Sequence, residues 1–298
     1  MTKLEEVAEA TYRLAMGLSQ GYLGHSTYFI VGEDRAVLIE PGQSALVPLI
    51  RDGIERLGIR RLSHIIPTHI HMDHAGGSGD LVRLFPEATV ILHPRAARHA
   101  IDPTRLITAT KLSFGDDFED THGAIQPIPE SQIKVVDDGE TLDIGGREVQ
   151  FFYAPGHAAH QIAILDRRTG SLFCGEAFGV PIPGECDSAL PSVSIPELDV
   201  EQYLATIDKL RQIEPRLLCY SHETGAREPG GIILRLTENT VLLRDLVLKG
   251  LKKGDDLKTI ERRARGAIAP RLGAGPRGLG LEGMVLGYAT YFRRHGLT

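Results

Sequence analysis

The chain has 298 residues, 33 of them Lys or Arg and 39 Asp or Glu, and a formal net charge of −6, a sign that argues against nucleic acid as the main partner. A hydrophobic fraction of 42% with 24% charged residues excludes disordered, collagen-like and coiled-coil chains. No run approaches the roughly 18 to 20 apolar residues of a membrane span, and Met1-Thr2-Lys3-Leu4-Glu5-Glu6 carries acids where a secretory signal has bases, so a cytoplasmic protein with no membrane partner is expected.

In chain order, Tyr28-Phe29-Ile30-Val31 and Ala36-Val37-Leu38-Ile39 are apolar runs separated by Gly32-Glu33-Asp34-Arg35, which predicts a hairpin. Residues 46–57 have helical spacing of apolar positions. His64-Ile65-Ile66-Pro67 and Thr89-Val90-Ile91-Leu92 read as buried strands around a helix near 80–85. From 135 to 153 the pattern is strand, turn at Gly145-Gly146, strand, and 161–165 with 171–174 predict a second hairpin across Arg167-Arg168-Thr169-Gly170. A helix over 201–213 leads into a strand at 217–220. Strands and helices in this order suit packed sheets covered by helices, an α+β architecture.

The last quarter differs. Residues 231–298 hold 13 Lys and Arg against 6 Asp and Glu, a balance of +7, which leaves −13 for residues 1–230. We therefore expect a domain over 1–230 and a helical extension over 231–298, with the charge asymmetry serving intramolecular or homodimer-interface complementarity. Within the extension, 232–248 is apolar at helical spacing, Asp255 or Asp256 suits a helix cap, and Leu281, Met284, Val285, Tyr288, Ala289 and Phe292 make a helical stripe. The glycine-containing stretch 271–278 lacks a preceding strand and reads as a connector rather than a phosphate loop. Cys174, Cys186 and Cys219 form no Cys-x-x-Cys pair and read as thiols rather than disulfides or a structural zinc site.

Three of the twelve histidines fall within six residues, His69-Ile70-His71-Met72-Asp73-His74, directly after an apolar strand. In extended chain His69 and His71 project to one side, so two imidazoles can bind one cation. A following turn brings Asp73 and His74 toward a second, and Gly76-Gly77 gives room for that turn. Four nitrogen and oxygen donors at this spacing are a specific metal signature.

This His-x-His-x-Asp-His run strongly resembles that of the metallo-β-lactamase-fold hydrolases, and the resemblance covers most of residues 1–230. Glu40-Pro41-Gly42 stands at the family's Asp-x-Gly, with Glu40 for the usual aspartate; Pro155-Gly156-His157 matches its Pro-Gly-His; Gly175-Glu176 resembles its Gly-Asp; and Tyr220-Ser221-His222 matches its last histidine. The resemblance implies an αββα sandwich with a small C-terminal helical extension. It also implies two divalent metal ions, Zn2+ with Fe or Mn as alternatives: His69, His71 and His157 on the first, Asp73, His74 and His222 on the second, and Glu176 bridging in place of aspartate. Two dications, two carboxylates and a bridging hydroxide leave such a site near +1, suited to a carbonyl that develops negative charge. The implied reaction is attack of that hydroxide on a small ester, lactone or thioester, with Asp73 as catalytic proton relay and a small molecule as partner.

The substrate is not named by the residues. Gly179 stands where related lactonases carry tyrosine, and Val180-Pro181-Ile182-Pro183 departs from the glyoxalase II segment. His93-Pro94-Arg95, His99, Asp102-Pro103 and His160 resemble a bacterial and archaeal branch with a helical tail. The alternative is a mononuclear or dinuclear iron oxidoreductase of the same fold, similar to a sulfur dioxygenase. His25 is a further candidate pocket residue; His64, His122 and His295 read as surface or core.

Overall fold

The computed structural model describes residues 2–17, 24–182, 188–222, 225–271 and 280–298. It opens with a hairpin that the sequence pattern did not mark, β1 (Thr2–Ala8) against β2 (Thr11–Met16). Charged Lys3, Glu5 and Glu6 on this edge strand hide the period-two signal. β3 (His25–Val31) and β4 (Ala36–Ile39) form the expected hairpin, and α1 (Val47–Arg56) leads to β5 (Leu62–Ile66), which runs parallel to β4. Then come α2 (Met72–Ala75), α3 (Ser78–Leu84), β6 (Thr89–Leu92), α4 (Pro94–Ile101), α5 (Thr104–Phe114), α6 (Phe118–His122) and β7 (Ile133–Val135). Among the described residues, β1 to β7 lie side by side in chain order in one sheet.

A second sheet begins with β8 (Thr141–Asp143) and β9 (Glu148–Tyr153), joined through Gly145-Gly146 as expected, and continues with the hairpin β10 (Ile162–Asp166) and β11 (Ser171–Gly175). β12 (Val180–Pro181) and β13 (Ala189–Leu190) form a separate ladder, and α7 (Val200–Arg211) precedes β14 (Leu217–Tyr220), which pairs parallel to β11, with β15 (Ala226–Arg227) beyond it. The tail carries α8 (Ile232–Lys252), α9 (Leu257–Ile268) and α10 (Leu281–Arg294). Asp256 caps α9, its carboxylate accepting from Thr259 N at 2.7 Å. Of the connector 271–278, all but Arg271 lies outside the described residues, as does Cys186; Cys174 and Cys219 are buried thiols.

The chain resolves into two compact units. The first takes in Met1–Tyr153, His160–Gly175 and Pro215–Arg227; the second takes in Ala154–Ala159, Glu176–Glu214 and Glu228–Thr298. In the first unit strand alternation builds two cores. Tyr28, Ile30, Val37 and Ile39 meet Val149, Phe151, Ile162, Ile164 and Phe173 of the second sheet. The intervening Phe29 and Leu38 face the other way, onto Ile50 and Ile54 of α1 and Leu81 of α3. Tyr28 donates its hydroxyl to Tyr220 O at 2.6 Å, which satisfies the one polar atom of a fully buried ring. Buried Arg147 joins the ends of both sheets: its guanidinium pairs with Asp166 and donates to Glu9 O and Thr11 Oγ1. In the second unit Leu198, Val200, Leu243, Val247, Ile260, Val285, Tyr288 and Phe292 form one core, so the α10 stripe is packing, as its spacing predicts.

Candidate metal centre

The parallel strands β4 and β5 end side by side, and the loops that leave their C-terminal ends begin the site. Glu40 N donates to Ile66 O at 3.1 Å, and Glu40 itself takes a left-handed backbone with φ 61°. For a residue with a Cβ that conformation costs on the order of 1 to 2 kcal/mol. It is held by two donors on the Glu40 carbonyl, His25 Nε2 at 3.1 Å and Thr27 Oγ1 at 2.7 Å. Burial, then the neighbouring His222, pushes His25 down to about 4, so its ring is neutral near pH 7 and Nε2–H is the donor. Gly42, at φ 69°, must lack a side chain, since a Cβ would sit 2.8 Å from His25 Nε2. The family's Asp-x-Gly position thus has a local physical reason for its glycine.

The Glu40 carboxylate is almost wholly buried and does two things. Oε1 accepts the backbone N–H of Thr68 at 2.7 Å, and Oε2 pairs with His74 Nδ1. Burial raises its pKa, but the charge and hydrogen bond of His74, with His25 and Thr68, outweigh burial and leave it lowered. An ionised carboxylate only accepts, so His74 Nδ1 carries a proton, and in the neutral imidazole Nε2 presents its lone pair. That Nε2 lies 3.3 Å from His222 Nε2, and Asp73 Oδ2 lies 3.6 Å from each. Asp73, His74 and His222 each offer a ligand atom within 4.8 Å of the others. An imidazole whose far nitrogen is committed to a carboxylate is the usual preparation of a metal ligand.

The same logic holds beside it. His69 Nδ1 lies 3.1 Å from Thr68 Oγ1, and His69 Nε2 lies 2.9 Å from His71 Nδ1. The His69 and His74 rings are 3.9 Å apart. Imidazole nitrogens and a carboxylate converging in a largely buried space are a donor set that suits a divalent cation. The first unit therefore brings together five of the seven predicted ligands: His69, His71, Asp73, His74 and His222.

The other two, His157 and Glu176, belong to the second unit, where His157 Nε2 and Glu176 Oε2 are 2.6 Å apart. His157 stands in the loop that joins β9 to β10, and Glu176 comes immediately after β11. Gly156, at φ 137°, packs so tightly that a Cβ would approach Tyr203 Cα to 2.4 Å, while Asp199 N donates to its carbonyl at 2.8 Å. The Tyr203 hydroxyl donates to Glu176 O at 3.0 Å. Tyr203, the fourth residue of α7, thus braces both ligand candidates.

Further histidines surround the ligand loop. Ile70 N lies 3.4 Å from His160 Nδ1, and the His160 ring is 5.6 Å from that of His71. His93 caps α4 by accepting from Arg95 N at 3.0 Å, and burial, then His160, pushes it down to about 4. His122 is buried against Gln43. His64 is half-buried, and His295 is exposed after α10. The contacts of Glu40 with Thr68 and His74, and of His25 with the Glu40 carbonyl, have no sequence signal beyond Glu40's place before Pro41-Gly42 and His25's standing as a candidate pocket residue.

Two sheets in a sandwich with a histidine and carboxylate cluster at their strand ends define a metallo-β-lactamase-type fold. The chain belongs to the metallo-beta-lactamase superfamily, whose family model matches residues 21–222. It is 22% identical over 200 residues to a metallo-beta-lactamase fold-containing protein of Sulfurisphaera tokodaii, covering 66% of this chain and 72% of that one. It is 24% identical over 199 residues to a coenzyme F420H(2) oxidase of Methanothermobacter marburgensis, covering 63% of this chain but only 43% of the oxidase. The crystal structure of a metallo-beta-lactamase family protein from Thermus thermophilus superposes with a TM-score of 0.71 at 19% identity, covering 96% of this chain and 94% of that one. This likeness extends the shared fold over the C-terminal helices. No helix among the described residues is long and apolar enough to cross a membrane.

Proposed function

We propose that this chain is a cytoplasmic metal-dependent hydrolase of small esters, lactones or thioesters, with residues 1–230 as its catalytic domain and 231–298 as a helical extension. The observation that carries the reading is the His74 imidazole: Glu40 holds its Nδ1–H, and Nε2 meets His222 and Asp73. In the proposed site His69, His71 and His157 would hold one divalent ion, Asp73, His74 and His222 would hold a second, and Glu176 would be a ligand to both. Zinc is the proposed metal. Bound divalent cations lower the pKa of water to about 7 and polarise a carbonyl. The protein's own part is to orient and to move protons. Glu40 and Thr68 fix the imidazole orientations, and the low exposure of His69, His74 and His222 limits competing water. Asp73, with its side chain 40% exposed, is the acid able to carry a proton between the cluster and a departing oxygen, sulfur or nitrogen.

The test is metal analysis of freshly purified protein joined to turnover on a panel of lactones, esters and thioesters. We expect two ions per chain, zinc-dependent hydrolysis, and loss of most of it in His71→Ala and Asp73→Asn. One ion per chain would overturn the dinuclear site, and near-wild-type hydrolysis in either variant would overturn the role of the metal. The oxidase relative favours a second reading, an iron oxidoreductase; iron in the purified protein with oxygen uptake and no hydrolysis would establish it instead.

A further inference from the structure

Part of the segment between β6 and β7 packs on one residue of the ligand turn. Met72, between His71 and Asp73, is buried in a small cluster with Phe118 of α6 and Ile125, and Leu106 and Ile107 of α5 pack against it. Its buried members belong to neither core of the first sheet, and among the described residues Leu106 alone packs against both this cluster and the core that holds Ala96 and Ala100 of α4. Around it the segment is stitched to the loop before α1. His122 Nδ1 meets Gln43 Oε1, Ser44 Oγ lies 2.8 Å from Ala124 O and 2.9 Å from Gly76 O, and a Cβ on Gly123 would come within 2.8 Å of Ala45 N. The outer side of α5 contributes no such core: Leu112 is 86% exposed and Phe114 42%.

We propose that residues 104–125 are a brace for the metal-ligand turn, and that Phe118 is a positioning residue whose packing on Met72 is thermodynamically coupled to metal binding; the inference rests on the metal-site reading above. Met72 shares α2 with Asp73 and His74 and follows His71, so the cover over its side chain sets the position of three ligand-bearing residues at once. When Met72 loses that cover, the turn samples other arrangements and the ligands must be reordered at the moment of binding. Coupling is reciprocal: a brace that raises metal affinity by some factor is itself held down by the metal by the same factor, commonly about 5- to 150-fold.

The experiment uses the full chain and zinc alone. Zinc affinity is measured by competition with a chromophoric chelator for wild type, Phe118→Ala and Phe118→Leu, and amide hydrogen exchange is followed over 104–125 with and without zinc. We expect zinc to slow exchange across this segment in wild type. Phe118→Ala should lose about 5- to 150-fold in zinc affinity together with the zinc-dependent protection, and Phe118→Leu should recover most of both. Amides of β3 to β5 report whether Phe118→Ala is folded; if it is not, the leucine variant and the wild-type exchange decide. Zinc affinity within twofold of wild type in folded Phe118→Ala, or zinc-independent exchange over 104–125 in wild type, would overturn the brace alone. A wild-type chain that binds no zinc would overturn both the brace and the metal site.

Discussion

Glu40→Gln isolates the group that orders the site while leaving every proposed ligand residue in place. The carboxylate makes two buried contacts, Thr68 N at 2.7 Å and His74 Nδ1. Glutamine fits the same space, and its oxygen can still accept from Thr68. Its amide then faces the Nδ1–H of His74 donor to donor, so the imidazole changes tautomer and puts its proton on Nε2. That is the nitrogen 3.3 Å from His222 Nε2, the one that would bind the cation. Losing such an orienting partner costs about 10- to 100-fold in metal affinity, or about 1.4 to 2.7 kcal/mol. Loss of one charge-assisted bond lowers folding stability by about 1.5 to 3 kcal/mol. The backbone of residue 40 should hold, because His25 and Thr27 bind its carbonyl and not its side chain. The assay is zinc affinity by chelator competition together with long-range proton–nitrogen NMR of the His74 ring. Affinity within twofold of wild type, with His74 still protonated on Nδ1, would refute the orienting role.

Gly156→Ala should cost about 3 kcal/mol or more, from its left-handed φ and the Cβ that would press on Tyr203, seen as a lowered urea midpoint. Arg147→Ala should cost about 3 to 5 kcal/mol by leaving Asp166 charged and buried; Arg147→Ala with Asp166→Ala should cost less than the sum of the two singles. Burial, helped by Lys134 at His64 and His160 at His93, holds both histidines down to about 4. Each therefore takes up a proton in the unfolded chain, near pH 6.5, before the folded one does. Their contribution to stability is complete above pH 6.5 and is lost as pH falls toward 4, by at most about 1.4 kcal/mol per pH unit for each and less for His64, which solvent reaches. Urea unfolding at pH 7.5 and pH 5 checks the sign, and His93→Gln should flatten the slope.

The hairpins, α1 and the α10 stripe were legible because they are local. Alternation at β3 and β4 and the i, i+3, i+4 spacing of α10 depend only on which side of an element is buried. The cluster at 69–74 was legible for a similar reason, since four donors in six residues meet through the chain's own geometry. The N-terminal hairpin and the segment of α4 to α6 were not, because a charged edge strand and helices buried on few residues carry weak periodicity. Glu40 could be marked in the sequence as a departure from aspartate, but nothing in it told that the carboxylate would reach Thr68 and His74. That contact spans 34 residues in the chain and exists only because β4 and β5 pair in parallel. Likewise, Met72 reads as one more apolar residue between ligands until folding brings Phe118 and Ile125 over it. Residue types and spacing determined which atoms could bind a metal. Only the tertiary structure decided which nitrogen of His74 carries a proton, because that depends on a partner that chain distance does not supply.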